Sequence, residues 1–266
     1  MPKKLEHSVA IITGASSGIG RETANLLARK GVKLVLAARR EDKLKEVAKE
    51  INSLGSEALI IPTDVSDQTQ VEHMVQRALE KFGRVDILVN NAGFGQFASI
   101  EETSSEDMLE IMGVNLMGTF YTTKAVLPQM KKQGSGHIIN VSSVAGKRGF
   151  PFLGAYCATK FAMNAISEAL RIELTGTGIC VSLVYPVTTR TEFFDVLKNR
   201  TGRRFEPPKI FSQSAHQVAR AIVECAENPK PEVLPFPLAR LLIVINAIAP
   251  GVLDFILKRY YKSMVK

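Results

Sequence analysis

Residues 9–20 read Val-Ala-Ile-Ile-Thr-Gly-Ala-Ser-Ser-Gly-Ile-Gly. An unbroken apolar run rich in β-branched residues stops at Thr13, three glycines follow, and a helical pattern then begins near residue 18. A short run that is apolar at every position suits a strand buried on both faces. Gly14, Gly18 and Gly20 let the chain turn tightly and bring backbone N–H groups up to a phosphate at a helix N-terminus. Their spacing is G-x3-G-x-G, not the G-x-G-x-x-G of other dinucleotide-binding turns.

The same rhythm continues on either side. Apolar runs at Val32–Ala37, Ala58–Ile61, Ile87–Val89, Ile138–Val141 and Ile179–Val184 follow Val9–Ile12, with a weaker seventh at Glu232–Leu234. Helical patterns near 18–30, 41–54, 67–82, 105–131, 155–175 and 214–227 separate them. This alternation predicts right-handed βαβ units and one α/β domain, a Rossmann-like, doubly wound parallel sheet of about seven strands with helices on both faces. The expected domain is 1–230, with a long connection at 186–213. Residues 231–266 form an apolar and basic helical extension, packed on the same domain, a partner subunit or a membrane surface.

At 266 residues, 45% hydrophobic and 23% charged, the chain has a globular composition and not that of a collagen-like or disulfide-scaffold protein. Cys157, Cys180 and Cys225 form no CxxC pair, and His7, His73, His137 and His216 are scattered, so neither a disulfide framework nor a metal site is expected. The first residues read as a strand rather than a signal peptide, and a reducing, cytoplasmic location is the expectation. The net charge of +8 is concentrated in two places. One is Lys198, Arg200, Arg203, Arg204 and Lys209 against Glu206; the other is Lys258, Arg259, Lys262 and Lys266 in the tail. Local patches of this kind fit an anionic ligand or a membrane surface, and no nucleic-acid motif accompanies them.

The TGASSGIG stretch, Asn90-Asn91-Ala92-Gly93 after the fourth run, and Tyr156-Cys157-Ala158-Thr159-Lys160 together resemble the short-chain dehydrogenase/reductase family over roughly residues 7–228. The resemblance implies a nicotinamide coenzyme held by Gly14, Ser16, Ser17, Gly18, Ile19, Gly20, Asp64, Val65, Asn91, Ala92 and Gly93, with Pro186, Thr189 and Thr191 on the nicotinamide side. The second strand ends Ala37-Ala38-Arg39-Arg40: no acid is available for a ribose 2′-hydroxyl, and arginines that can fork onto a phosphate follow. That reading favours NADP (NADPH) over NAD.

The resemblance also implies that Tyr156 and Lys160 act in proton transfer, with Ser143 on the substrate oxygen and Asn115 in support. The chemistry is coherent. Tyrosine is a weak acid with a reference pKa of about 10, a nearby cation favours its ionised form, and positions i and i+4 share a helix face. The chain departs from the family where Pro-Gly is usual after the sixth strand: it has Pro186-Val187, and Thr189 stands at an aliphatic position.

Thirteen uncharged residues lie between Arg240 and Asp254, too few for a spanning helix and interrupted by Pro250-Gly251. Two short helices broken there are expected. In the second, Leu253, Ile256, Leu257, Tyr260 and Met264 share one face and Asp254, Lys258 and Lys262 another. The reading is therefore an NADP(H)-dependent oxidoreductase for a small-molecule carbonyl or secondary alcohol, lipophilic in character. A homodimer or homotetramer is expected, and the tail is a candidate for peripheral contact with a membrane. The alternatives are a 3-oxoacyl reductase acting on a carrier- or CoA-linked chain, and a non-catalytic nucleotide-binding sensor.

Overall fold

The computed structural model describes residues 4–194, 197–202 and 212–264. Seven strands form one parallel sheet: β1 (Val9–Thr13), β2 (Lys33–Ala38), β3 (Ala58–Pro62), β4 (Ile87–Asn90), β6 (Gly136–Val141), β7 (Ile179–Val184) and β11 (Glu232–Val233). Their order across the sheet is β11-β7-β6-β4-β1-β2-β3, so the chain winds outward from β1 in one direction and from β4 in the other. Connections therefore diverge between β1 and β4, which opens a crevice at the carboxyl ends of those strands.

Side-chain alternation divides the core between the two faces. Ala10 and Ile12 of β1, with Leu34 and Leu36 of β2, pack toward α1 (Gly18–Ala28), α2 (Glu41–Ser53) and α7 (Ala215–Glu227). Val9, Ile11, Val35 and Leu88 pack on the opposite side with Val71 and Met74 of α3 (Gln68–Phe82) and Val126 and Met130 of α5 (Gly118–Gln133). Complete burial of such runs is why they read as continuously apolar.

The single helical pattern at 105–131 is resolved into α4 (Ser105–Met112), a π-helical turn at Gly113–Met117 and α5. The described residues of the 186–213 connection include short strands. In it, β8 (Thr188–Arg190) pairs with β10 (Ser212–Ser214), and β9 (Lys198–Asn199) pairs with β5 (Gln96–Phe97). α6 (Gly154–Glu173) lies before β7.

The tail forms α8 (Ala239–Ile248) and α9 (Pro250–Met264), with axes bent by 116°. The break falls at Ala249, and Pro250 opens the second helix, where its missing N–H is harmless. No single helix among the described residues is long and apolar enough to cross a membrane, although the bent pair passes that test together. Leu253 is buried and Leu257 half-buried as their shared face predicts, but Ile256 is 52% exposed. The side chains of Tyr260 and Met264, assigned to that face, lie outside the described residues.

Candidate functional site

Where the chain leaves β1 it turns through Gly14 (φ +63°) and enters α1 at Gly18 (φ +54°), both in the left-handed region that favours glycine. A Cβ on Gly20 would lie 2.3 Å from the Gly14 carbonyl oxygen, and one on Gly14 would lie 2.9 Å from the Ala92 Cα. The β1 and β4 turns are thus in backbone contact. The Asn91 side-chain amide donates to the carbonyl oxygens of Thr13 and Gly14, at 3.1 Å each. The backbone N–H groups of Asn91 and Ala92 both donate to Thr13 Oγ1 at 3.0 Å. This cradle has room for a phosphate-bearing backbone and none for a side chain, which fits a dinucleotide.

At the end of β2, Arg40 reaches back to the cradle: its Nη2 donates to Ser16 Oγ at 3.1 Å and Ser17 Oγ at 3.0 Å. Arg39 points elsewhere, 4.0 Å from Asp64 and largely exposed. Asp64 Oδ1 in turn accepts from the N–H and hydroxyl of Ser66. The N-cap of α3 is Asp67.

On the other side of the crevice, Ser143 follows β6 and Tyr156 and Lys160 lie one turn apart on α6. Burial pushes the Tyr156 phenol well above its usual range, a hydrogen bond with Ser143 pulls it down, and Cys157 adds a smaller upward effect. Burial lowers Lys160 to about 8; its Nζ donates to Val141 O at 2.9 Å and stands 5.8 Å from the centre of the Tyr156 ring. Ser143 Oγ accepts from Ala145 N at 3.1 Å and donates to Pro186 O over a long 3.4 Å, leaving its proton loosely held. Ser142 is committed elsewhere, donating to Asn164 Oδ1 at 2.7 Å.

Asn115, fully buried in the π-helical turn, clamps the Phe94 backbone. Its Oδ1 accepts from Phe94 N, and its Nδ2 donates to Phe94 O and to Thr159 Oγ1. Thr159 in turn donates to the Tyr156 carbonyl at 2.7 Å.

Beyond β7, Thr189 donates to Val187 O at 2.9 Å and accepts from Gln213 Nε2 at 3.2 Å. Val187 is buried. Thr191 packs against Gly18, where a Cβ would lie 3.0 Å from its Cγ2. The next residues, Glu192–Phe194, form a 3₁₀ turn, and the Phe193 ring meets Tyr156 edge-on with centroids 5.7 Å apart.

One cleft of about 930 Å³ joins these parts. Every residue assigned to the site from sequence lines it except Gly20 and Asn115, which stand behind its wall. Its far end is apolar: Phe94, Phe150, Leu153, Phe193 and Leu197 on one side, and Leu242, Ile243, Leu253, Ile256 and Leu257 of α8 and α9 above. The roof is tied down by Asn246, which accepts from Arg148 Nη1 at 2.9 Å and donates to Lys147 O at 3.0 Å. Arg148 also pairs with Asp254, and Tyr261 stacks on Phe152 at 5.5 Å. Asn246 and Glu192 were not legible as site residues, since their partners are 98 and 152 positions away.

The basic stretch expected to face an anionic partner is partly consumed. Arg200 forks onto Asp107 with two 2.8 Å bonds, and Lys198 pairs with Glu110. Arg203, Arg204, Glu206 and Lys209 lie outside the described residues.

A family model for short chain dehydrogenases matches residues 8–201. An uncharacterised oxidoreductase of Staphylococcus saprophyticus is 41% identical over 231 residues, covering 85% of this chain and 92% of that protein. A short-chain dehydrogenase/reductase from Burkholderia phymatum in complex with NAD superposes with a TM-score of 0.84 at 30% identity, covering 94% and 96% of the two chains. An alcohol dehydrogenase from Thermococcus sibiricus complexed with 5-hydroxy-NADP gives 0.76 at 33% identity, over 85% and 95%.

Proposed function

This chain belongs to the short-chain dehydrogenase family, an oxidoreductase fold, and on that premise we propose that it interconverts a lipophilic carbonyl and its secondary alcohol with NADP(H) as coenzyme. The observation that carries the reading is the meeting of Ser143, Tyr156 and Lys160 in the same cleft as the glycine cradle. Bound nicotinamide supplies or accepts the hydride. Gly14, Ser16, Ser17, Gly18, Ile19, Gly20, Asn91, Ala92 and Gly93 would hold its phosphates and ribose. Arg40 and Arg39 would take the 2′-phosphate, Asp64 and Val65 would serve the adenine, and Pro186, Thr189 and Thr191 the nicotinamide.

In the reducing direction the burial of Tyr156 is useful, because it keeps the phenol protonated at neutral pH and ready to donate. Ser143 gives its loosely held proton to a hydrogen bond with the substrate oxygen and stabilises the charge that develops there. Lys160, beneath the ring, favours the tyrosinate left after proton transfer. Asn115 positions this group through Thr159.

The apolar far end of the cleft supports a lipophilic substrate. The outer surface of the roof supports contact with an anionic membrane: Leu241, Val244, Ile248, Val252 and Phe255 are exposed, with Lys258, Arg259 and Lys262 nearby in sequence. Exposed Phe120, Phe161 and Ile166 on α5 and α6 support a homodimer or homotetramer. A carrier-linked acyl substrate is less well supported, because Lys198 and Arg200 are already paired with carboxylates.

The test supplies deuteride-labelled NADPH with a lipid-rich extract and follows deuterium into products by mass spectrometry. Label should appear with the wild type and fall by about 10²–10⁴ with Tyr156→Phe, the range for loss of a general acid. No labelled product, with NADPH binding intact, would point to a nucleotide sensor.

A further inference from the structure

Glu192 is the first residue of the turn that follows Thr191. Its Oε2 accepts from both Nη1 and Nη2 of Arg40, at 3.0 Å each, and the same Nη2 donates to Ser16 Oγ and Ser17 Oγ. The Arg40 guanidinium fork therefore holds a single anionic group at the mouth of the cradle, with the Ser16 and Ser17 hydroxyls on the same Nη2. The guanidinium donors suit a phosphate oxygen equally well, since such an oxygen accepts charge-assisted bonds from them. The group that occupies them arrives from the far side of the crevice, 152 residues along the chain.

We propose that Glu192 is an internal stand-in for the coenzyme's 2′-phosphate, holding Arg40 until the phosphate displaces it, and so setting how strongly the protein prefers the phosphorylated dinucleotide. The inference rests on the reading that Arg40 receives that phosphate. A carboxylate and a phosphate on one guanidinium edge repel each other, so one must leave. The carboxylate is the weaker competitor: the Arg40–Glu192 pair is roughly half exposed on both sides, and exposed pairs hold only weakly. Its departure also acts on the catalytic side. The residue after Glu192 is Phe193, whose ring lies edge-on against Tyr156, so the turn that yields to the phosphate is the turn that carries this ring.

The experiment is calorimetric titration of 2′-phospho-ADP-ribose and ADP-ribose into wild type, Glu192→Gln, Arg40→Ala and the double variant. Glu192→Gln should bind 2′-phospho-ADP-ribose about two- to five-fold more tightly at low ionic strength, with ADP-ribose unchanged and the gain reduced in 0.5 M salt. In the Arg40→Ala background the gain should vanish. Unchanged or weaker binding of the phosphorylated fragment by Glu192→Gln, or equal tightening of both fragments, overturns the proposal. If that variant fails to fold, Glu192→Ala carries the same comparison. Wild type that binds both fragments equally would retire the NADP preference alone; the Glu192→Gln comparison would still decide whether this carboxylate competes.

Discussion

The Lys160 ammonium donates to the main-chain oxygen of Val141 at 2.9 Å, from a side chain only 4% exposed. One carbonyl does not replace the water lost around a cation, and burial lowers its pKa from 10.5 to about 8. Between those values the unfolded chain binds more protons at this residue than the folded one, so its destabilising effect is full below pH 8 and is relieved as pH rises. Denaturant titrations of the coenzyme-free protein should show wild type gaining about 2 kcal/mol on Lys160→Met between pH 7 and 9.5. A flat difference across that range would mean that the lysine is hydrated.

Coenzyme choice should depend on the second arginine more than the first. Arg40 touches the hydroxyls of the cradle, whereas Arg39 is mostly in solvent beside Asp64. Arg40→Ala should weaken NADPH about 10–100-fold by fluorescence titration and leave NADH within about two-fold, the scale of one or two charge-assisted bonds. Arg39→Ala should change the ratio by a smaller factor. Equal effects on both coenzymes would place the phosphate elsewhere.

Two glycine substitutions of the same size should have opposite consequences. Gly20→Ala sets a methyl 2.3 Å from the Gly14 carbonyl and 2.7 Å from the Asn91 amide, neither of which can move without opening the cradle. It should cost about 1–3 kcal/mol in thermal denaturation and abolish dinucleotide binding. Gly251→Ala, in α9, meets nothing within 4 Å and should be neutral or stabilising by up to about 1 kcal/mol.

The roof gives a fourth prediction. Asn246→Ala removes both bonds that tie α8 to the 147–148 segment and should raise KM for long apolar carbonyls several-fold while NADPH affinity is unchanged. On the outer face, Leu241→Glu with Val244→Glu should abolish flotation with anionic vesicles without altering turnover of a soluble carbonyl. Wild type that fails to float would limit the exposed apolar face to contact between protein molecules.

The parts of this molecule legible in sequence are those governed by local rules. The run Val9–Thr13 announces a two-face buried strand because every position meets a core, and Gly14, Gly18 and Gly20 announce the turn because no other residue fits there. Tyr156 and Lys160 share a helix face by spacing alone. What sequence did not reveal depends on partners distant along the chain. Glu192 finds Arg40, Asn246 finds Arg148, and Phe193 finds Tyr156, and none of these pairs leaves a periodic trace. The π-helical turn at Asn115 was likewise hidden, since a one-residue change in helical pitch barely disturbs the apolar pattern.

The two ends of the cleft are built from different kinds of material. The cradle is backbone against backbone at the centre of a seven-stranded sheet, where almost any change propagates into the fold. The roof is a pair of terminal helices held down by Asn246, Asp254 and a stacked ring, with side chains facing the cavity that bear little other structural burden. Substitutions at Leu242, Ile243 or Leu257 can therefore accumulate without touching Ser143, Tyr156 or Lys160. For descendants of such a gene, and for anyone recombining its tail with that of a relative, the substrate range can drift while the chemistry stays fixed.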